Sequence, residues 1–481
     1  MLRFTKDALL VFILLAISYG YFYQDPGWNG NSRLGLTFAI VREGRLTIDT
    51  YYNNDASGLK TGDKSVYQGH YYTDKAIGSS LLAAIVYFPI DWIMRLTGHE
   101  WAIWIQKYLL TFLVNGLPSA LAGSLMYILG CYLSKSRLRA FGVTLAIALG
   151  TMCFPFSVIF FGHQLAASIL FTGFFLIFQL QLLTSAERPR PWYLFLVGLV
   201  LGLSLLVDFT TGVVVVPLIF YYFYLLWKKG WLPRLSGVLL PALGGVIPMA
   251  LMVGYNLAVY QKPLASGYQY LSNPYYEEAM SHGIMGITMP AKGPLFYETL
   301  HPAQGLVWQS PVLIMAAVGA YFMLHKKQYR VELALTVIAC AAYLLLNAGY
   351  FMWWGGYSFG PRQIVPMLPF LAIPLFFVPR RYFPVVVVLA VISIFQMTLV
   401  SASNVMAPDD YMVKIARIPF FAYSSIYSYC LKQLEAGHFA WNIGQGWLGL
   451  KNWLSLLPFV AVLLGGTGLM IRLDRKEAAP V

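Results

Sequence analysis

The sequence predicts an all-α polytopic membrane protein. Hydrophobic residues fill 58% of the 481 positions, and charged residues fill only 11%, whereas soluble domains carry roughly 25% charged residues. Apolar runs close to the roughly 20 residues that a spanning helix needs recur along the whole chain. Short clusters of Lys and Arg separate many of these runs, which is typical of cytoplasmic loops.

The apolar runs set the expected number of spans. Thirteen runs are found, at 8–23, 78–96, 104–133, 138–158, 164–184, 191–208, 212–228, 235–260, 306–325, 331–350, 363–379, 382–402 and 451–471. The basic clusters predict that both termini are cytoplasmic, which requires an even number of spans. Either 78–96 does not cross, or 104–133 is a hairpin broken near Asn115 and Pro118, or the charge rule fails locally. We therefore expect twelve to thirteen transmembrane helices.

The predicted external side carries one long early loop. Loop 24–79 holds six acidic and six basic residues, and positive charge on this side needs an explanation such as an anionic substrate. Asn31 or Ser32 is predicted to begin a helix that runs to about Arg42, with Gly44 just past its end. That helix either lies in the membrane surface or packs as an ordinary loop helix.

The chain divides into two predicted parts. Residues 1–402 form a transmembrane core whose large external loops are 24–79 and 261–305. Residues 403–481 form an external cap segment, a last transmembrane helix and a short cytoplasmic tail, and Asp409, Asp410, Lys414 and Arg417 belong to the cap segment.

Composition excludes several function classes. The net charge is +13, but no basic helix or stripe is present, so nucleic acid is not an expected partner. The four cysteines form no CxxC pair, and no HExxH spacing occurs, so no metal ligands are predicted. The sequence also lacks a Gly-rich phosphate loop and a nucleophile elbow.

Charged residues at external helix ends are candidates for chemistry. Asp25 follows the first apolar run, where a partly desolvated carboxylate suits a general base; a turn acid is the alternative. Asp74 and Lys75 precede the second run, and Arg362 precedes 363–379. Helix N-termini attract phosphate, so Lys75 and Arg362 are a candidate phosphate clamp; contact with lipid headgroups is the alternative.

Other side chains could contact a substrate. Trp353, Trp354 and Tyr357 suit stacking against a sugar ring, although an interfacial aromatic belt explains them equally well. His70 and His163 are candidate contacts to an acceptor or phosphate, with a structural role as the alternative. Arg33 completes the phosphate candidates and Tyr72 completes the substrate candidates.

Several stretches resemble a known family. They are REGRLTID (42–49), HYYTDKAIGSSLLA (70–83) and WWGGYSFGPRQIVPMLPFL (353–371), supported by FGHQLAASILF, VDFTTG and YNLAVYQKPLASGYQY. Together with an Asp after the first helix, they resemble the GT-C glycosyltransferases, in particular the bacterial family-39-like enzymes that use lipid-phosphate sugars. The resemblance covers most of residues 1–400, and the region from about 403 resembles no family we can name.

The resemblance implies a GT-C fold and a sugar transfer. A polyprenyl-phosphate sugar would be the donor, and a hydroxyl of a glycolipid, polysaccharide or protein the acceptor, on the external face of a bacterial inner membrane during cell-envelope glycan biosynthesis. Asp25 matches the family's base, with Asp74 and Asp49 in reserve, while Lys75 and Arg362 match its phosphate-binding residues. Many relatives have two adjacent acids; here Pro26 follows Asp25, so metal use is not favoured.

Two other function classes remain open. A transporter or flippase would more naturally show internal repeats and ionisable residues at mid-membrane, whereas these charges collect at the predicted outer boundary. An O-antigen-type polymerase or ligase would carry its large loop late in the chain.

Overall fold

The computed structural model describes residues 2, 5–231, 235–408 and 424–478. This part of the chain is mainly helical, and its strands form two small antiparallel pairs, β1 (Phe22–Tyr23) with β4 (Trp441–Asn442) and β2 (Ser65–Tyr67) with β3 (His70–Tyr72). Asp409, Asp410, Lys414 and Arg417 of the predicted cap segment lie outside the described residues.

The helices follow the apolar runs closely. They are α1 (Lys6–Tyr21), α2 (Gly27–Phe38), α3 (Gly78–Thr97), α4 (Ile103–Thr111), α5 (Leu117–Ser134), α6 (Arg137–Ala148), α7 (Cys153–Ser157), α8 (Gly162–Gln181), α9 (Pro191–Val207), α10 (Gly212–Lys228), α11 (Ser236–Tyr260), α12 (Pro274–Ser281), α13 (Lys292–Thr299), α14 (Leu306–Gln309), α15 (Ile314–Leu324), α16 (Arg330–Ala348), α17 (Ala372–Leu375), α18 (Phe383–Ala402), α19 (Leu431–Glu435), α20 (Ile443–Gly446) and α21 (Leu457–Ala478). Pro366 and Pro369 lie in a 3-10 helix, Arg362–Leu371, which leads into α17.

The chain is a multi-pass membrane protein. Eight helical segments of the described residues are long and apolar enough to cross a membrane, and three shorter apolar ones accompany them. Several of these segments expose more than half of their residues to the surroundings, as expected of helices that face lipid. The predicted fold class, an all-α polytopic protein with a long first loop that carries helices, is confirmed.

The loops predicted to be external meet at one end of the bundle. Hydrogen bonds join parts of the chain that are far apart in sequence, namely Gln24 with Ser401, Val66 with Tyr270, Thr288 with Gly349, and Phe359 with Val405. The pairing of β1 with β4 adds the segment after residue 424 to the same end. We call this the loop end.

The basic clusters gather at the opposite end. Arg137 forms an ion pair with Asp7 at the start of α1, at 3.1 Å. Arg139 donates a hydrogen bond to the Phe376 carbonyl at 3.1 Å, and Lys229 donates one to the Gln181 carbonyl at 3.0 Å. The two ends are therefore sorted by charge in the way that the positive-inside rule predicts.

Helix α3 resolves the conflict over the number of spans. Its 20 residues are long enough to cross, at about 1.5 Å per residue, but both of its ends contact the loop end. Gly78 touches the backbone at Leu206, and Asp91, three turns further on, forms an ion pair with Arg42 of the first loop at 3.1 Å. The run 78–96 therefore lies beside α2 and does not cross.

The contacts at the two ends alternate along the described chain, and from them we infer twelve segments between the ends: α1, α4–α5, α6–α7, α8, α9, α10, α11, α15, α16, 362–375, α18 and α21. These are seven of the eight long apolar segments, the three shorter ones, and α1 and α6–α7. The hairpin considered for 104–133 is wrong, because a π-helical turn at Phe112–Gly116 joins α4 to α5 without a break. Asn115 is buried in that turn and donates to the carbonyls of Ile159 and Phe161.

Helix α2 begins earlier than predicted. It starts at Gly27 instead of Asn31 or Ser32, and a π-helical turn extends it to Glu43. The predicted end is confirmed, because Gly44 follows with a φ of +65°, which glycine adopts readily. Residues 29–38 are buried on every face of the helix. The interpretation as a helix lying in the membrane surface is therefore wrong, and α2 is a packed loop helix.

Candidate functional site

A cavity of about 490 Å³ opens at the loop end. Its walls come from α2, the segment before α3, the start of α8, the turn after α9, and the loops between α11 and the 3-10 helix at Arg362. The charged lining residues are Arg33, Asp63, Asp74, Lys75, Asp208 and Arg362, together with His163. Parts of the chain separated by more than 300 residues therefore supply one polar site.

Lys75 sits between two carboxylates. Its Nζ lies 2.8 Å from Oδ2 of Asp74 and 2.9 Å from Oδ2 of Asp63. Burial alone would lower the pKa of the Lys75 ammonium, but the two carboxylates outweigh it and raise that pKa. Burial raises the pKa of Asp74 despite the neighbouring ammonium. In this group of three side chains, the positive charge of the Lys75 ammonium is already balanced by the two carboxylates.

Arg33 has no carboxylate partner within the described part of the chain. Its side chain is buried, and its guanidinium donates to the Ala76 carbonyl at 3.0 Å and to Oδ1 of Asn29 at 3.3 Å, which are both uncharged. Burial lowers the pKa of Arg33, although Asp208, Asp74 and Asp63 oppose that effect from a distance. The guanidinium of Arg33 therefore lines the cavity without an ion pair to any carboxylate that the structure describes.

Arg362 supplies a second guanidinium, on a side chain that is partly buried. Its Nε has no hydrogen-bond partner among the described residues, and its guanidinium lies 5.1 Å from the centre of the Phe161 ring. The aromatic face offers some stabilisation but no hydrogen bond. A buried polar atom without a hydrogen bond is costly, and Nε belongs to a cation, so an anion is the natural partner for Arg362.

His163 and Asp208 form a hydrogen-bonded pair. Nδ1 of His163 lies 2.8 Å from Oδ2 of Asp208, and both side chains are largely buried. Oδ1 of Asp208 accepts from the backbone N–H and the hydroxyl of Thr210, at 3.0 and 2.8 Å. Burial alone would raise the pKa of Asp208, but the hydrogen bonds from His163 and Thr210 hold it below its usual range.

Two glycines allow the close packing that builds the site. A Cβ on Gly162 would lie 3.2 Å from the guanidinium of Arg33, so glycine lets Arg33 lie against the first turn of α8. A Cβ on Gly267 would lie 2.7 Å from the Cα of Asp74, which is too close for any other residue. This contact joins the loop after α11 to the acidic group.

The remaining wall of the cavity is apolar. It is lined by methionines and by aliphatic and aromatic side chains, including Met280, Met285, Ile287, Leu346, Phe351, Met352 and Met406. Methionine adapts its shape to flexible apolar ligands. The cavity therefore joins a cationic, hydrogen-bonding half to an apolar half.

The structure brings six of the predicted site residues together. Asp74, Lys75, Arg33, Arg362, His163 and Tyr357 all line the cavity. Asp49 does not line the cavity. Its Oδ2 lies 2.7 Å from Nδ1 of His70, in an exposed part of the first loop. Sequence reasoning missed Asp63 as a member of the acidic group, since Asp63 lies in the segment before β2 and only the tertiary structure brings it to Lys75.

Five other predicted residues lie outside the cavity lining. Asp25 is mostly exposed, and its Oδ2 forms an ion pair with the buried Lys107 at 2.9 Å. His70 is exposed at the start of β3, and Tyr72 is buried with its ring centre 6.0 Å from that of Tyr260. Trp353 stacks on Tyr297 with 5.4 Å between ring centres, and Trp354 lies at an edge-on angle to Trp353.

No group of three or more His, Cys, Asp or Glu side chains is arranged to hold a metal ion within residues 5–231, 235–408 and 424–475. The acidic group beside Lys75 contains two carboxylates, and the ammonium occupies the position between them. These carboxylates therefore hold the ammonium of Lys75 in the position that a metal ion would need.

Comparisons with known proteins give structural neighbours. No protein-family model matches the chain, and no curated protein matches it. The chain is similar to ArnT from Cupriavidus metallidurans bound to undecaprenyl phosphate, with 13% identity, a TM-score of 0.49, and coverage of 96% of this chain and 75% of that chain. For ArnT from the same organism in the apo state, the identity is 14%, the TM-score 0.45, and the coverage 96% and 73%.

Proposed function

We propose that the chain is a membrane glycosyltransferase of the GT-C type, which transfers a sugar from a polyprenyl-phosphate donor to a hydroxyl acceptor at the loop end. The observation that carries this proposal is a pair of guanidinium groups, the buried Arg33 and the partly buried Arg362, that make no ion pair with a carboxylate of the described residues. Both line the same cavity, and its other wall is apolar. A ligand that combines a phosphate with a hydrocarbon chain satisfies both halves.

The cations suit the leaving group of a sugar transfer. A polyprenyl-phosphate sugar is a phosphodiester with one negative charge, and the lipid phosphate that leaves carries up to two. Fixed cations that gain interaction energy as this charge develops stabilise the transition state more than the ground state. Arg33 and Arg362 are proposed to bind the phosphate directly. Lys75 contributes less, because Asp63 and Asp74 already neutralise it.

The sequence resemblance supports the same reaction class. The stretches that carry it, around Asp74–Lys75 and Arg362, line the cavity. A flippase would also need to bind a lipid phosphate, but it would carry it across the membrane. The cavity charges lie at the loop end, which favours chemistry there over transport. We propose that the loop end is external, because the basic clusters lie at the opposite end.

The test is turnover of a defined donor. Purified protein is incubated with a panel of polyprenyl-phosphate sugars and candidate acceptors, and release of the lipid phosphate is measured. We expect release from at least one donor, and we expect it to be lost in Arg33→Gln/Arg362→Gln. A matched control is Arg45→Gln, which removes an exposed arginine of the first loop outside the cavity. Movement of intact donor between bilayer leaflets without release of lipid phosphate would support the flippase instead.

A further inference from the structure

The His163–Asp208 pair has the geometry of a base held by a carboxylate. An ionised carboxylate accepts hydrogen bonds and donates none, so Nδ1 of His163 carries the proton in the 2.8 Å contact with Asp208. Thr210 fixes the other carboxylate oxygen with two hydrogen bonds. In the neutral ring, the free lone pair is then on Nε2.

Nε2 of His163 is available to a ligand. It makes no hydrogen bond to any of the residues that the structure describes, and the side chain lines the cavity. The imidazole follows directly after Phe161, whose ring faces Arg362, and Gly162, which touches the Arg33 guanidinium. A phosphate bound by the two guanidinium groups would therefore lie next to this nitrogen.

The acids of the region are less suited to accept a proton. Asp63 and Asp74 are both held in ion pairs with the ammonium of Lys75, so protonating either carboxylate would break an existing contact. Asp25 lies outside the cavity lining and is bound to Lys107. Within the described lining of the cavity, His163 is thus the group that combines a free lone pair with a position beside the proposed phosphate site.

We propose that His163, held by Asp208, is the general base that deprotonates the acceptor hydroxyl. This inference rests on the proposed function. Nε2 takes the hydroxyl proton, and the acceptor oxygen forms a bond to the anomeric carbon. The bond from that carbon to the phosphate oxygen breaks, and its electron pair leaves with the lipid phosphate. The proton on Nε2 then passes to water. Asp208 is a positioning residue, which acts through the ring of His163.

Other charged groups face the imidazole and affect its titration. Arg33 on α2 and Arg362 at the start of its 3-10 helix are cations close to the ring, and Asp208 is the facing anion. The rate of transfer at saturating donor is expected to fall as the pH is lowered and the ring becomes protonated. In Asp208→Asn the amide no longer fixes the proton on Nδ1, so the same rate falls at every pH.

The experiment compares His163→Gln, Asp208→Asn and the control His70→Gln, which changes an exposed histidine outside the cavity. Transfer, its pH profile, thermal stability and binding of undecaprenyl phosphate are measured for each. General bases accelerate the chemical step by about 100- to 10,000-fold, so we expect His163→Gln to lower kcat by at least about 100-fold. Its Kd for undecaprenyl phosphate should stay within about threefold of the wild-type value, and its melting temperature within a few degrees. Asp208→Asn should lose much of kcat, and His70→Gln should lose none.

Three outcomes would count against the inference. If wild type transfers sugar and His163→Gln keeps kcat within threefold, the base assignment fails while the proposed function stands. If His163→Gln weakens undecaprenyl-phosphate binding as much as it slows transfer, His163 is a phosphate ligand and not the base. If wild type releases lipid phosphate from no donor in the panel, the proposed function itself fails and the base assignment fails with it.

Discussion

Replacing Arg362 by Gln tests whether its charge is kept for a ligand. In the free protein, Nε of Arg362 is buried without a hydrogen-bond partner, and Phe161 supplies only a ring face. Charged side chains are normally kept paired when buried, because an unpaired one destabilises the fold. Removing this charge should therefore leave the thermal stability unchanged or raise it, whereas most substitutions of buried residues lower it.

The same substitution should weaken phosphate binding strongly. A hydrogen bond that involves a charged group contributes about 1.5 to 3 kcal/mol. Loss of one guanidinium should then cost about 2 to 4 kcal/mol, or roughly 30- to 1,000-fold in Kd. Part of the affinity should remain, because Arg33 still faces the cavity.

Two measurements on one sample check this reasoning. The Kd for undecaprenyl phosphate is measured by calorimetry in detergent, and the melting temperature of the free protein is measured in the same buffer. Arg45→Gln is the matched control, since Arg45 is exposed outside the cavity. A Kd for Arg362→Gln equal to that of the control would refute the assignment. A melting temperature lowered by several degrees with normal affinity would show that the guanidinium is structural.

Three further predictions concern the groups around the site. Lys75→Met leaves Asp63 and Asp74 facing each other without their cation, so the melting temperature should fall, by the equivalent of about 3 to 5 kcal/mol; an unchanged melting temperature would contradict this group of three side chains. Asp25→Asn should keep lipid-phosphate release, because this residue lies outside the cavity lining; abolished release in a stably folded variant would restore it as the base. Burial raises the pKa of Glu298 to about 8, above its value in the unfolded chain, so its contribution to stability is complete in acid and is lost as the pH rises towards 8. Melting temperatures from pH 5 to 8 should decline in wild type and less in Glu298→Gln, and parallel curves would argue against a protonated Glu298.

Much of the fold could be predicted from apolar length and charge placement. Each of the thirteen apolar runs contains helix in the structure, and the basic clusters lie at one end as expected. The run 78–96 misled the count, because its composition matches a spanning helix. Only its contacts through Gly78 and Asp91 show that it stays at the loop end. Length and hydropathy describe a segment, but not the neighbours that bind its two ends.

The candidate site could be predicted only in part. Lys75 and Arg362 were found from their positions at helix starts, and both line the cavity. Asp25 had an equally favourable position in sequence, yet its side chain turns to Lys107. Its position beside a helix end fixes where its backbone lies, but the direction of the side chain depends on residue 107, which is remote in sequence.

The sequence by itself determined that this protein crosses the membrane many times and gathers charge into one early loop, because the hydrophobic effect and the cost of burying charge act on local composition. Tertiary structure alone decided which charges are paired. It binds Lys75 to two acids, leaves Arg33 and Arg362 without an ion pair to any described carboxylate, and places His163 against Asp208. Pairing depends on distances between helices that are far apart in the chain, and no local pattern encodes those distances.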